Sequence, residues 1–389
     1  MIYKTIYKII PILLSLAFFE ASFAILQPVI ILQLAANNLS SNIIGIIGSC
    51  FYIGFLLGTL SSSISFKYLG HFKTFYSFCI IGGTITLLYI PIKHPLLWAI
   101  FYIIIGYIIA GLFVIIENWL NHLSDQGNRG RILSIYGATY WLAAGIGRLA
   151  LNINSLNGNI FFILVSIGFF VSIIPIFLIK QKEDFAITSS NYTSSNKLSQ
   201  IMNMGILICF FTGLISSSFF NLFPLYSNKI ELTIYQLSLI LSISQIIPFF
   251  IEFPIGWISD KYGRIKITII IILIGIGASS IIILNNNLSF YSLLILVLIE
   301  IISTAPLYTL GTSYTIDLFK KNNLVFINSA LLFSWASGAI IGPAMAGYLF
   351  EYIGQKGLFY FIIGCQITLL SIIILSFLKK YIYSLSINS

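Results

Sequence analysis

Four charged side chains lie inside apolar runs: Glu20, Arg148, Glu252 and Glu300. A charge in such a setting costs several kcal/mol unless it is paired or wet, so each is a candidate for chemistry. A carboxyl withdrawn from water holds its proton more tightly and becomes a usable proton carrier near neutral pH. Glu20 lies about 11 residues into its run, roughly 16 Å deep at 1.5 Å per residue. Glu300 lies at a similar depth in a later run. These two are expected to bind a coupling proton, Glu20 foremost. Arg148 is expected to pair with a carboxylate or an anionic group of a solute, or else to reach headgroups from the outer end of its helix. Glu252, nearer a helix end, is equally placed to snorkel to the interface. Gln27, Gln33 and Asn221 are polar in apolar surroundings, and Tyr136, Tyr140 and Trp141 recur along one segment. Tyr140 is four residues from Tyr136, so the two share a helical face. An aromatic face with one carboxylate suits an amphipathic or cationic solute, although ordinary helix packing explains most of these residues.

Other chemistries lack their residues. There is no H-E-x-x-H, no G-x-S-x-G, no phosphate loop and no dinucleotide fingerprint. Cys50, Cys79, Cys209 and Cys365 sit singly in apolar runs as small packing residues, and His71, His94 and His122 are far apart. No metal, cofactor or enzymatic activity is expected. Without a nucleotide-binding loop, any transport must be driven by a gradient or run downhill.

The elements that must position these residues follow from composition. The chain is 58% hydrophobic and 8% charged, against roughly 25% charged in soluble domains, and its mean hydropathy is +1.01. That excludes a soluble core and describes an all-α membrane protein. Apolar segments long enough to span a bilayer fall near 9–34, 43–66, 74–92, 96–119, 131–151, 159–179, 201–226, 235–258, 267–284, 289–312, 324–349 and 357–378, which makes twelve transmembrane helices. The first run continues past a passable cleavage site at Ser22-Phe23-Ala24 and is too long for a signal-peptide core, so it is expected to be retained.

Apart from the intramembrane Arg148, and Lys93, Lys229 and Lys356 in outer loops, every Lys and Arg falls on one side of these spans. That bias places both termini in the cytoplasm and the chain in the cytoplasmic (inner) membrane as a multi-pass protein. It also accounts for the net charge of +9 without a nucleic-acid partner, since no basic cluster is long enough to hold a duplex. The longest polar stretch, Lys180 to Gln200, reads as a flexible linker. The division is 1–180, a six-helix bundle; 181–200, a cytoplasmic linker; and 201–389, a second six-helix bundle. The halves echo one another. Leu26-Gln27-Pro28 matches Leu222-Phe223-Pro224, Gly58 matches Gly256, and Trp141 matches Trp335. Two repeats of this kind place a site between them near the midplane.

The loop after the eighth span carries Gly256, Asp260, Gly263, Arg264 and Lys266 in the pattern G-x-x-x-D-x-x-G-R-x-K. Gly256 is expected to admit a neighbouring helix closely, Gly263 to permit a tight turn, and Asp260 to accept hydrogen bonds from backbone or Arg. This stretch resembles the inter-helix signature of the major facilitator superfamily (MFS) of secondary transporters. Gly338, Gly342 and Pro343 resemble that superfamily's G-x-x-x-G-P motif, though most export carriers have it in the fifth span. Here it is expected to be a helix-packing face. Glu117-Asn118-Trp119-Leu120-Asn121, Asn128-Arg129-Gly130-Arg131 and Gly70-His71 are similar to the YcaD-like bacterial branch, which carries no assigned substrate class. The first half departs from the pattern, with Ser62 where the motif has Asp. The cytoplasmic gate is therefore expected to lock asymmetrically, with Asp260 near Arg129 and Arg131 and Glu117 in the same cluster.

What the resemblance implies is a monomeric secondary active transporter moving a small-molecule substrate, with protons, across the lipid bilayer by alternating access, efflux favoured over uptake. The alternatives are an uptake carrier or uniporter for a nutrient, and a non-transporting membrane sensor or scaffold of the same fold.

Overall fold

The computed structural model describes residues 2–124, 129–153, 158–177, 179, 203–319 and 324–387. The expected linker 181–200 lies outside them, as does the side chain of Arg129. Among the described residues every regular element is a helix. In a bilayer core no water is present to bond backbone groups, and a helix satisfies them within one segment.

The helices are α1 (Ile2–Ala36), α2 (Ser41–Leu88), α3 (Pro95–Leu123), α4 (Arg129–Leu149), α5 (Gly158–Val171), α6 (Ile173–Phe177), α7 (Met204–Lys229), α8 (Ile234–Tyr262), α9 (Arg264–Leu284), α10 (Phe290–Thr304), α11 (Pro306–Leu318), α12 (Leu324–Ile353) and α13 (Gly357–Ile387). Ten membrane spans among the described residues are long and apolar enough to cross a bilayer, with α5–α6 and α10–α11 each counting as one. The expected third and fifth spans are not in that set. The third is the arm of α2 beyond Gly70, where φ of 74° and ψ of 163° interrupt the helix. The fifth is α4, which begins Arg129-Gly130-Arg131 and ends at Arg148. Both are helical.

The chain forms two compact units: Met1–Ser190 with Phe220–Phe249, and Asn191–Phe219 with Phe250–Ser389. In the first, α1 packs on α4 and α5, and α2 packs along α3. The α2–α3 seam is made by glycines. A Cβ at Gly54 would lie 1.8 Å from the Ile103 carbonyl oxygen, and one at Gly106 would lie 2.1 Å from that of Phe51. Small residues let backbones approach in membranes, where packing replaces the hydrophobic effect as the force between helices. Large aromatics, among them Phe19, Phe75, Trp98, Tyr102, Trp119 and Phe162, fill the rest of this core. At the α2–α3 turn Lys93 donates to Asn159 Oδ1 at 3.3 Å and lies near the Trp98 and Phe162 rings. Partial burial holds its amine below the usual lysine value.

In the second unit α9 packs on α10 and α13, and α12 on α13 and α11. A Cβ at Gly338 of α12 would meet the Phe210 carbonyl oxygen at 2.0 Å, and one at Gly342 that of Leu214 at 2.4 Å. Gly213 of α7 answers with a Cβ position 2.0 Å from the Trp335 carbonyl oxygen. Pro343 lies inside the same helix. Helix ends follow local rules: Ser40 accepts from the Ile43 amide, and Thr233 and Gln236 form a reciprocal capping box.

Candidate functional site

In the first unit the polar residues of α1 meet the C-terminal half of α4. Glu20 and Gln27 are seven residues apart and share one face of α1. Gly147 brings α4 onto α1, since a Cβ there would lie 2.2 Å from the Ala21 carbonyl oxygen. Arg148, the next residue, is thereby carried into the interior with only 5% of its surface exposed.

The guanidinium is held from three sides. Nη1 donates to the Leu241 carbonyl at 3.3 Å, and Nη2 donates to Gln27 Oε1 at 3.4 Å. The Phe220 ring lies 4.4 Å from its central carbon, a cation–π distance. Nε, equally buried, has no hydrogen-bond partner among the described residues. Asn221 Nδ2 donates to the Tyr52 hydroxyl at 3.4 Å, and Gly48 leaves it room, because a Cβ there would sit 2.7 Å from Asn221 Oδ1.

Glu20 is 3% exposed, and its Oε2 has no partner among the described residues. It makes no direct ion pair with Arg148, although the charges of the two act on each other. Tyr140 also lies within reach of both charges and packs edge-on against Phe113 at 5.7 Å and Trp141 at 4.9 Å. Gln245 of α8 is buried with its Oε1 unpartnered. So Glu20, Gln27, Arg148, Asn221 and Tyr140 belong to one unit, joined there by Tyr52, Phe220 and Gln245. Those last three were not singled out from the sequence. Gln245 left a signal, an amide amid Ile240 to Pro248, whereas nothing marks Phe220 among the chain's 33 phenylalanines.

Glu300 lies in the second unit, in a different setting. Its Oε2 accepts from Ser279 Oγ at 2.8 Å, and its Oε1 accepts from Thr304 Oγ1 at 3.0 Å and Gln366 Nε2 at 2.7 Å. It thus ties α9, α10 and α13 together. Glu252 is half-buried on α8 and makes no ion pair among the described residues.

The signature loop also folds within the second unit. Gly263, at φ of 96°, ends α8 and starts α9, a conformation that favours glycine. Arg264 then bridges two carboxylates, Asp260 Oδ1 at 2.8 Å through Nη2 and Asp317 Oδ2 at 2.6 Å through Nε. Its Nη1 donates to Ser259 Oγ at 3.2 Å, and Ser259 donates to the Gly256 carbonyl at 2.6 Å. Ser259, Asp260, Arg264, Lys266, Tyr314 and Asp317 line a cavity of about 390 Å³. Gly256 corrects the expectation of close helix approach: a Cβ there would meet nothing within 4 Å. Its part is played by the carbonyl that anchors Ser259. Asp317 as the second partner of Arg264 was not foreseen, because 53 residues separate the two. In the first unit Glu117 accepts from the Tyr136 hydroxyl at 3.0 Å, and Arg131 is exposed.

This chain, whose described regular elements are all helices, with buried charges and a glycine-turned Arg–Asp node, matches the sequence pattern of the Major Facilitator Superfamily over residues 12–247 and 205–385. It belongs to that superfamily. Relatives include the uncharacterized MFS-type transporter YfkF of Bacillus subtilis (strain 168), 28% identical over 366 residues and 91% of each chain. The uncharacterized MFS-type transporter YcaD of Escherichia coli (strain K12 / DH10B) is 25% identical over 363 residues, 90% of this chain and 91% of that one. These similarities support the YcaD-like branch. Among solved structures the nucleoside transporter NupG aligns with a TM-score of 0.76 at 15% identity, over 96% of this chain and 98% of its own. A D-xylose-proton symporter aligns at 0.71 and 12%, over 94% and 96%. At such identities the likeness is one of fold. The chain is a multi-pass MFS membrane transporter.

Proposed function

We propose that this MFS transporter is a proton-coupled secondary carrier of a small solute. Twelve spans in two six-helix bundles, 1–180 and 201–389 with a cytoplasmic linker, would sit in the cytoplasmic membrane with both termini inside and work by alternating access. The observation that carries the reading is the pair of buried, incompletely partnered charged groups in one unit, Glu20 Oε2 and Arg148 Nε. Buried polar groups in native proteins are nearly always bonded, so a pair left open is suited to partners that come and go. Glu20 is the proton site and Arg148 the solute anchor. Glu300, with three donors already on its carboxylate, is assigned to holding α9, α10 and α13 together. The Asp260–Arg264–Asp317 node is the cytoplasmic gate, with Glu117, Arg129 and Arg131 as its counterpart from the first half.

The test is a thermal-stability screen of purified protein against metabolites, drugs and cations at acid and alkaline pH. A ligand that binds the folded state raises the melting temperature by mass action. The expected hit depends on pH and loses that dependence in Glu20→Gln. A hit indifferent to both would remove Glu20 from the mechanism. A broad screen without any hit, joined to absence of flux in proteoliposomes, would favour the scaffold reading.

A further inference from the structure

The open valences of Arg148 and Glu20 restrict what the solute can be, given the assignment of these residues to the transport site. Arg148 spends Nη1 and Nη2 on one long contact each and leaves Nε–H unused. One face of the guanidinium is closed by Phe220. What remains is the edge formed by Nε–H and the neighbouring Nη hydrogen, the fork that matches the two oxygens of a carboxylate.

The local charge balance then sets the stoichiometry. The groups facing Glu20 and Arg148 are Tyr140 and Tyr136 from α4, Tyr52 from α2 and Tyr102 from α3. Phenols are uncharged at neutral pH. Arg148 is the one charged side chain among the described residues whose field reaches Glu20. With Glu20 ionised, the pair sums to zero and the empty site is neutral. With Glu20 protonated, one positive charge is left buried, and a single monovalent anion cancels it. A dianion would need a second proton-accepting carboxyl, and a cation would add to the charge already there.

We propose that the solute is a small monocarboxylate that binds through the Arg148 fork together with one proton on Glu20. Loaded and empty sites are then equally neutral, and the transport cycle moves no net charge. The proton leaves solution for a Glu20 oxygen, and the carboxylate stays ionised against the guanidinium. An inward proton gradient drives such a solute into the cell, which reverses the preference for efflux drawn from the sequence.

The experiment is calorimetric binding to the full-length protein in detergent, with benzoate and lactate as probes, benzamide and lactamide as their neutral counterparts, and alanine as a zwitterion. Binding is read at several pH values, with proton uptake measured in weakly buffered solution. The expected result is binding of a monocarboxylate but not its amide, one proton taken up per anion, and affinity falling about tenfold per pH unit on the alkaline side. In Glu20→Gln anion binding persists and its pH dependence flattens. In Arg148→Gln it weakens about 10- to 100-fold, as loss of a charged hydrogen bond predicts. Arg148→Lys, which keeps the charge and loses the fork, falls between. Binding of alanine or an amide instead, or of an anion without proton uptake, would overturn the monocarboxylate while leaving Glu20 and Arg148 as a transport site. Failure of both carboxylates to bind, with wild type and variants monodisperse and helical by circular dichroism, also overturns it. Flux of another solute that survives both Glu20→Gln and Arg148→Gln would sink the site assignment itself.

Discussion

Glu20 and Glu300 are the same residue type in apolar helices, and both are almost wholly buried. Their surroundings separate them. Glu300 receives hydrogen bonds from Ser279, Thr304 and Gln366, on three helices. Glu20 keeps an unpartnered oxygen and faces a guanidinium that is itself short of partners. A saturated carboxylate is a strut, because removing it strands its donors. An unsaturated one suits the proposed site, because its missing partner can arrive from outside. The difference lies in the neighbours and in no property of the glutamate.

The contrast can be broken most directly by exchanging each carboxyl for an amide. Glu20→Gln is expected to abolish solute-driven proton flux in proteoliposomes while leaving stability within about 1 kcal/mol, since no bond to Oε2 is lost. Glu300→Gln should keep the flux. If Glu300→Gln abolishes coupling and Glu20→Gln does not, the two roles are reversed. Glu300→Ala strands three buried donors and is expected to cost about 3 kcal/mol or more, read as a fall in melting temperature. Glu20→Ala should cost markedly less.

Smaller effects sharpen the same comparison between filled and open positions. Gly338→Val places bulk where even a Cβ would meet a backbone oxygen at 2.0 Å, and overpacking of that kind costs about 1–3 kcal/mol. Asp317→Asn removes one arm of the Arg264 node. Both carboxylates there are 61% exposed, so the loss is about 0.5–1 kcal/mol. It is expected to appear as a severalfold shift in accessibility labelling between inward- and outward-open forms, and Asp260→Asn should do the same. No shift in either would show that the node is no gate. Gly256→Ala is the smallest change. With open space at its Cβ and a place inside α8, it should stabilise by about 0.5–1 kcal/mol through helix propensity, as a small rise in melting temperature.

Much of the architecture was legible because the bilayer is so restrictive a solvent. Apolar runs of span length must become helices, Gly263 suits the turn that other residues resist, and the glycines of Gly338-to-Gly342 can admit a neighbour. Gly256 shows where that reasoning stops. It matches the signature as well as Gly263 does, yet among the described residues nothing lies within 4 Å of a Cβ there, since a glycine permits close packing without causing it. Gly58 answers it in the first unit, with a Cβ position 2.5 Å from the Tyr107 carbonyl oxygen. Similarly, Asp317 stood at a helix end with no sign that Arg264 would reach it.

The sequence by itself determined the class: a polytopic helical membrane protein with the loop chemistry of the major facilitator superfamily, and a short roster of charges too costly to be idle. Local periodicity and hydropathy suffice for that, because they act on neighbouring residues along the chain. Only the tertiary structure decided which charges are spent and which are open. Arg148 meets Gln27 across 121 residues, and Glu300 meets Gln366 across 66. Such pairings are set by how helices pack, and packing depends on the shapes of side chains far apart in sequence.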